Sequence, residues 1–236
     1  MDKNFSISFV LPMFNERDNI KNAIEEIGVI SLDLTEDYEI VVVDDASTDD
    51  SIQIVERIME ENKTVRLFKL EENTKFGGAF ARGFKEAQKD IILYMDSDMP
   101  IEKEDIKASF PLISEYDIVS GYSKVKKGDT FKRKIISGTY NLIVEILFGL
   151  KIKDINSGYK IVRKNVVEGV DFTSRSPFVD VELFLHAKQK NSKISQYPLV
   201  FKSRKGGKSY ISSIPIILAT FRDMIKVRFK LFNKTK

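Results

Sequence analysis

Four short runs of this chain are apolar at nearly every position, and that continuity limits the folds open to it more than any other feature. Phe5–Leu11, Tyr38–Val43, Val65–Leu70 and Asp90–Met95 read as strands. Between them lie helical patterns. The first carries Ile20, Ala23, Ile24 and Ile27 on one face, and the second starts at Ser47-Thr48-Asp49-Asp50 and continues through Ile52, Val55, Ile58 and Met59. The third spans Phe76 to Gln88. A strand with one wet face alternates apolar and polar residues, so a continuously apolar strand must be covered on both sides. The pattern predicts an α/β fold in which a mostly parallel sheet lies between helical layers. Further along, Ile118–Tyr122 and Ile194–Lys202 read as strands, and Arg133–Leu150 and Val179–Gln189 as helices. Lys124–Thr130 reads as a basic, mobile segment, and Ile211–Phe232 as a basic, apolar helix. With no linker or repeat between them, these elements predict one domain over residues 1–210 followed by a C-terminal helix over 211–236.

A chain of 236 residues can bury a sizeable core in one domain. Its net charge of +3 calls for no nucleic-acid partner, and the absence of cysteine excludes disulfides and thiolate metal sites. Met1-Asp2-Lys3-Asn4 leads directly into the first strand, so no signal peptide is expected. No apolar run reaches the ~18 residues that would span a bilayer, so an integral membrane protein is not expected either.

Ligands of parallel sheets bind beyond the carboxyl ends of the strands, and the acidic residues of this chain collect there. Ile91-Ile92-Leu93-Tyr94-Met95 ends in Asp96-Ser97-Asp98. Alternation along a strand would point both carboxylates the same way. Like charges so placed favour an intervening cation, and Mg²⁺ or Mn²⁺ carrying a diphosphate suits oxygen ligands. A solvated loop is the alternative. Pro12 to Glu16 follows the first strand, where Asn15 could equally be a helix cap. Asp44-Asp45, after the second strand, could accept hydrogen bonds from a nucleobase and ribose. Lys75-Phe76-Gly77-Gly78-Ala79 opens a helix, and its glycines permit either close ligand approach or close helix packing. It is not a Walker loop, and no strand runs into Gly-x-Gly-x-x-Gly.

In this order, Pro12-Met-Phe-Asn-Glu16, Val43-Asp44-Asp45-x-Ser47-x-Asp49, the Lys75–Ala79 loop and Asp96-Ser-Asp98 resemble family 2 inverting glycosyltransferases of the GT-A fold. Arg133-x-x-x-Ser137, Asp154-Ile-Asn-Ser157-Gly158-Tyr159-Lys160, Phe178-Val-Asp-Val-Glu182 and Arg204-x-x-Gly207-x-Ser209 resemble dolichyl-phosphate mannose synthases and related polyprenyl-phosphate glycosyltransferases. The resemblance runs from about Ser6 to Ser209. It implies that Pro12, Phe14, Glu16, Val43, Asp44 and Asp45 hold the base and ribose of a sugar nucleotide, beside the Lys75 and Gly77 loop. It further implies that Asp96 and Asp98, with Ser97 between them, hold Mg²⁺ or Mn²⁺ and the diphosphate. Arg133, Arg204 and Lys208 would meet phosphate oxygens, a task that suits the planar guanidinium fork. Three positions depart from the mannose synthases. Pro100 stands where they place Gln, Gly121-Tyr122-Ser123 lacks a following Arg, and Tyr210 stands where a Lys follows the Gly-x-Ser element.

The acceptor decides the chemistry. A polyprenyl phosphate is already an anion and needs little or no general base, whereas a glycan hydroxyl requires a carboxylate. Asp180 and Glu182 are the candidates for that carboxylate, with helix capping as the alternative for Asp180. His186 reads as structural. The expected function is metal-dependent, inverting transfer of one sugar, from GDP-mannose or UDP-glucose, to a lipid phosphate. Candidates for the chemical step are Asp98, Arg133, Arg204, Asp180 and Glu182. The tail helix, with Ile214, Ile217, Leu218, Phe221, Met224, Ile225 and Phe229 beside Arg222, Lys226, Arg228 and Lys230, suits an anionic membrane surface. It could equally pack on its own domain, on a second copy in a homodimer, or on a membrane-anchored partner subunit. These features place the chain as a peripheral protein at the cytoplasmic membrane face. A glycan-directed transferase, a nucleotidyltransferase and a non-catalytic sugar-nucleotide or lipid-binding subunit are the other readings.

Overall fold

The computed structural model describes residues 5–124, 131–201 and 214–234, with the side chains of 131–135, 214 and 230–234 left aside. The strands are β1 (Ile7–Met13), β2 (Tyr38–Asp44), β3 (Val65–Lys69), β4 (Ile91–Met95), β5 (Ile118–Ser123), β6 (Tyr159–Arg163) and β7 (Ile194–Leu199). The helices are α1 (Ile20–Leu34), α2 (Ser51–Glu61), α3 (Lys75–Glu86), α4 (Lys103–Ser109), α5 (Phe131–Phe148), α6 (Lys164–Val167), α7 (Val179–Gln189) and α8 (Ile214–Lys234). A 3₁₀ turn follows α4 at Phe110–Ser114.

The strands form one sheet in the order β3-β2-β1-β4-β6-β5-β7. β1 pairs in parallel with β2 and β4, β2 with β3, and β5 with β7. β6 is antiparallel to both its neighbours, β4 and β5, so it alone runs against the rest. The mostly parallel α/β arrangement is as expected, and both faces of the sheet are covered. On one face Phe9, Leu11, Ile40, Val42 and Leu93 pack with Ile20, Ile24 and Ile27 of α1. On the other, Val10, Val41, Ile92 and Tyr94 pack with Phe80 and Phe84 of α3, Phe184 of α7 and Met224 of α8. The apolar continuity of β1, β2 and β4 thus reflects alternate residues buried in opposite layers.

Sequence boundaries hold to within a few residues for most elements, and α7 matches its expected span. β6 and the short α4 and α6 went unread. β6 carries Lys160 and Arg163, and a lysine in a five-residue run argues against a central strand. Tertiary packing overrides that signal, because Lys160 is fully buried beside an acid brought by α7. Lys124 is described, whereas residues 125–130 of the basic segment lie outside the described residues.

Helix α3 lies close to the sheet because Gly83 has no side chain. A Cβ there would lie 2.3 Å from Val10 Cγ1, and valine is stiff at χ1. At Gly28 in α1 a Cβ would meet nothing within 4 Å. Alanine at an exposed helix interior stabilises by ~1 kcal/mol over glycine, whereas overpacking costs about 1–3 kcal/mol. Urea denaturation is therefore expected to show Gly28→Ala more stable than the parent and Gly83→Ala less stable, despite the same helix-propensity gain. Equal stabilisation by both would contradict the packing of α3.

Candidate active site

The six co-directional strands finish at one edge of the sheet, and β6, being reversed, begins there. The reversal brings the Asp154–Gly158 turn alongside the loop that follows β4 and the end of β5. Ser97 Oγ donates to the carbonyl of Pro12, tying the β4 loop to β1. Asn15 joins two further loops: its N–H donates to Ser47 Oγ (2.9 Å) and its Oδ1 accepts the Thr48 N–H (2.8 Å). The Glu16 N–H donates to Ser51 Oγ (2.9 Å). Asn15 therefore braces one loop against another rather than capping α1, whose N-cap is Asn19.

Backbone strain gathers at the same edge. Of the five non-glycine residues with positive φ among the described residues, Asn15, Ala46, Lys75 and Met99 lie in these loops; Asn191 lies elsewhere. Such conformations cost on the order of 1–3 kcal/mol each and persist where surrounding contacts over-determine them. The cross-loop hydrogen bonds are those contacts.

The residues expected around a nucleoside divide by exposure. Phe14 is 39% exposed, Pro12 and Glu16 are half-buried, and Lys75 is exposed. Val43 is fully buried in the apolar layer, so its side chain serves the core. Asp44 is fully buried and accepts the Ser47 N–H (3.1 Å). Asp45 Oδ1 accepts both the N–H (2.6 Å) and the hydroxyl (2.8 Å) of Thr74. Burial raises the Asp45 pKa, against the lowering effect of those Thr74 bonds. Both acids thus fold the loops that frame the edge. Gly77 N–H donates to Arg175 O (3.0 Å), and a Cβ at Gly77 would lie 2.1 Å from Ser174 O. That glycine lets the start of α3 pack against the 174–175 backbone.

Asp96 and Asp98 are half-buried at the centre of the edge. The Asp96 carboxylate packs directly on Gly158: a Cβ there would lie 2.2 Å from Asp96 Oδ2, and the Asp96 N–H donates to Gly158 O (3.2 Å). Among the described residues no group of three or more acidic or histidine side chains could enclose a metal ion. A pair of half-buried carboxylates, one of them seated against a glycine, fits a hard divalent cation that takes its other ligands from substrate phosphate and water, the usual habit of Mg²⁺. Of the basic candidates, Arg133 stands in the first turn of α5 with its side chain outside the described set. Arg204 and Lys208 lie outside the described residues.

Both base candidates are buried. Asp180, in the first turn of α7, is fully buried, with Oδ1 2.8 Å from Lys160 Nζ. Burial pushes its carboxyl up to about 6; the Lys160 ammonium opposes the rise and Asp154 adds to it. Glu182 is 5% exposed and accepts three hydrogen bonds, from the Thr173 N–H (2.9 Å), the Thr173 hydroxyl (2.6 Å) and the Ser174 N–H (3.1 Å). The ring of His186 meets Phe172 edge-on at 6.2 Å, in keeping with a structural place. Sequence reasoning passed over Lys160 and Tyr94. The signal available was a lysine between Tyr159 and Ile161, in the run that follows Ser157-Gly158.

Comparison with known proteins follows the same outline. The family model described as glycosyl transferase family 2 matches residues 8–170. The chain is 32% identical over 211 residues to a dolichol-phosphate mannosyltransferase of Pyrococcus furiosus, covering 86% of this chain and 58% of that protein. It is 24% identical to a dodecaprenyl-phosphate galacturonate synthase of Rhizobium johnstonii, over 99% of this chain and 70% of that one. The chain thus spans a little over half the length of the first of these relatives. Among solved structures, glucosyl-3-phosphoglycerate synthase from Mycobacterium tuberculosis, in complex with Mn²⁺, UDP and phosphoglyceric acid, superposes with a TM-score of 0.70. The match is at 16% identity, over 94% of this chain and 76% of that one. That likeness is one of fold and agrees with the GT-A arrangement expected from sequence. The match over more than half its length shows that the chain belongs to glycosyl transferase family 2.

Proposed function

We propose that this protein transfers a single sugar from a nucleotide donor to a polyprenyl phosphate, with inversion, at a membrane surface. The observation that carries the choice of acceptor is the state of the two candidate bases. A glycan hydroxyl must lose a proton as it attacks. Asp180 is fully buried beside the Lys160 ammonium, and Glu182 is buried with three hydrogen bonds from the 173–174 loop. A phosphate monoester arrives already charged and makes no such demand. The names of two relatives, a dolichol-phosphate mannosyltransferase and a dodecaprenyl-phosphate galacturonate synthase, support the lipid phosphate, and the first supports mannose; GDP-mannose, expected from the resemblance, is the first donor to try. The mycobacterial structures with Mn²⁺ and UDP-glucose support a divalent ion and keep UDP-glucose as the second.

In this reading Asp96 and Asp98 hold Mg²⁺ or Mn²⁺ with the donor diphosphate. The ion would neutralise charge gathering on the departing nucleoside diphosphate. The exposed Phe14 and the Glu16 and Asp45 loops receive the base and ribose, while Arg133, Arg204 and Lys208 meet phosphate oxygens. Attack in line with the leaving group inverts the anomeric centre.

Helix α8 supports the membrane surface. Its inner side buries Met224 and Val227, and Asp223 accepts the Ser176 N–H (3.2 Å). Its outer side leaves Leu218, Phe221, Ile225 and Phe229 exposed beside exposed Arg222, Lys226 and Arg228. An apolar stripe flanked by cations suits an anionic lipid interface at the cytoplasmic face. No helix of the described residues is long and apolar enough to cross a membrane.

Incubation with Mn²⁺, labelled GDP-mannose or UDP-glucose and a polyprenyl phosphate, followed by organic extraction, is expected to yield labelled lipid. Asp96→Asn and Asp98→Asn should each abolish it. Absence of labelled lipid with either donor would reject the lipid acceptor. Glu182→Gln tests the base directly. A glutamine oxygen can accept both backbone N–H groups and its amide can donate to Thr173, so turnover should stay within about tenfold of the parent. Loss of a general base costs roughly 10²–10⁴-fold. Glu182→Ala, which strands the loop donors, should lower stability by about 1–3 kcal/mol in urea denaturation.

A further inference from the structure

Lys160 and Asp180 are fully buried charges near the edge, and the transfer described above uses neither. Lys160 Nζ lies 2.8 Å from Asp180 Oδ1, both side chains showing no exposure, and it also donates to the carbonyl of Ser157 (2.5 Å). A buried ion pair is a poor stabiliser: apolar residues of similar volume at such positions are often as stable or more so. Stability gives no reason for two charges here. Their location does.

The carbonyl that Lys160 holds belongs to the residue before Gly158, and Gly158 is the surface against which the Asp96 carboxylate is set. The same turn takes the Asp96 N–H on Gly158 O. Tyr94, two residues before Asp96 on β4, places its ring 5.9 Å from Lys160 Nζ. Its hydroxyl is buried without a hydrogen-bond partner among the described residues. The ammonium is therefore fixed at three points around one turn: by Asp180 from α7, by the turn's own carbonyl, and over the ring of the strand that delivers Asp96.

We infer that Lys160 and Asp180 are positioning residues that, through the Ser157 carbonyl, hold the Ser157–Gly158 turn as the wall setting the Asp96 carboxylate for a divalent cation and a nucleoside diphosphate. The inference rests on the role of the acid pair proposed above. It moves Asp180 from the list of possible bases to the support of a ligand. Because the ion pair couples α7 to β6, the helix that follows the 171–178 loop and the strand that begins at the edge are registered against each other at this one point.

The test separates stability from ligand geometry. Binding of GDP and of UDP is measured by calorimetry with Mn²⁺ and with a chelator, on the purified chain and on Lys160→Met, Lys160→Met/Asp180→Leu, Lys160→Arg and Gly158→Ala. The double variant should melt at or above the parental temperature yet bind nucleotide with Mn²⁺ at least tenfold more weakly, its chelator-treated affinity unchanged. Lys160→Arg, whose guanidinium can reach both Asp180 and the Ser157 carbonyl, should stay within about threefold of the parent. Gly158→Ala should lose Mn²⁺-dependent affinity with the ion pair intact. A well-folded double variant with parental Mn²⁺-dependent affinity would overturn the inference. Should the double variant not fold, loss of that affinity in Lys160→Arg together with its retention in Gly158→Ala would do the same. If the parent itself shows no Mn²⁺-dependent binding of either nucleotide, the role of the acid pair fails and this inference with it. Parental binding alongside an unimpaired double variant removes the positioning role alone.

Discussion

The reversed strand β6 carries a lysine into the middle of the sheet, and much of this structure is conditional on that residue being neutralised. An unpaired ammonium in the core costs several kcal/mol after relaxation. β6 can therefore sit between β4 and β5 only when α7 is docked and supplies Asp180. The dependence spreads in both directions along the sheet. β5 and β7 join the first half of the fold only through β6, and the turn that starts β6 is the wall behind Asp96. One ion pair thus links the completion of the sheet to the shape of its ligand-facing edge.

That edge is built by loops that would not hold their conformation alone. Four residues with left-handed backbone are kept there by side chains reaching from one loop to the next: Asn15 to Ser47 and Thr48, Ser97 to Pro12, and Asp45 to Thr74. The polar residues at strand ends consequently do two jobs, and the structure assigns several of them mainly to bracing. Asp45 and Glu182 accept backbone N–H groups of neighbouring loops, and Asp44 accepts that of Ser47 in its own. A rigid, pre-set edge lowers the ordering cost of binding a charged donor.

The sheet was legible because hydrophobic continuity is a local property. Val41, Val42 and Val43 announce a strand covered on both faces whatever lies elsewhere in the chain, and the helix faces of α1 and α3 announce themselves by their 3.6-residue spacing. The acid pair was legible for a related reason: Asp96 and Asp98 follow an apolar run, and a strand end in a parallel sheet is a ligand edge. β6 was not legible. Its five residues include two cations, and nothing local shows that one of them will meet a carboxylate twenty residues away. The occupation of Glu182 was equally hidden, since its partners Thr173 and Ser174 fall in a loop with no pattern of its own.

By itself, then, the sequence determined the class of fold, the sheet edge at which the acidic strand ends collect and the pair of carboxylates at its centre, since each follows from residues adjacent in the chain. Only the tertiary structure decided that one strand runs backwards, that Asp180 lies beside Lys160, and that the Asp96 carboxylate takes the place a side chain at residue 158 would need. Those outcomes depend on distances between residues far apart in sequence, and on burial, which turns an ordinary surface charge into one that must find its partner.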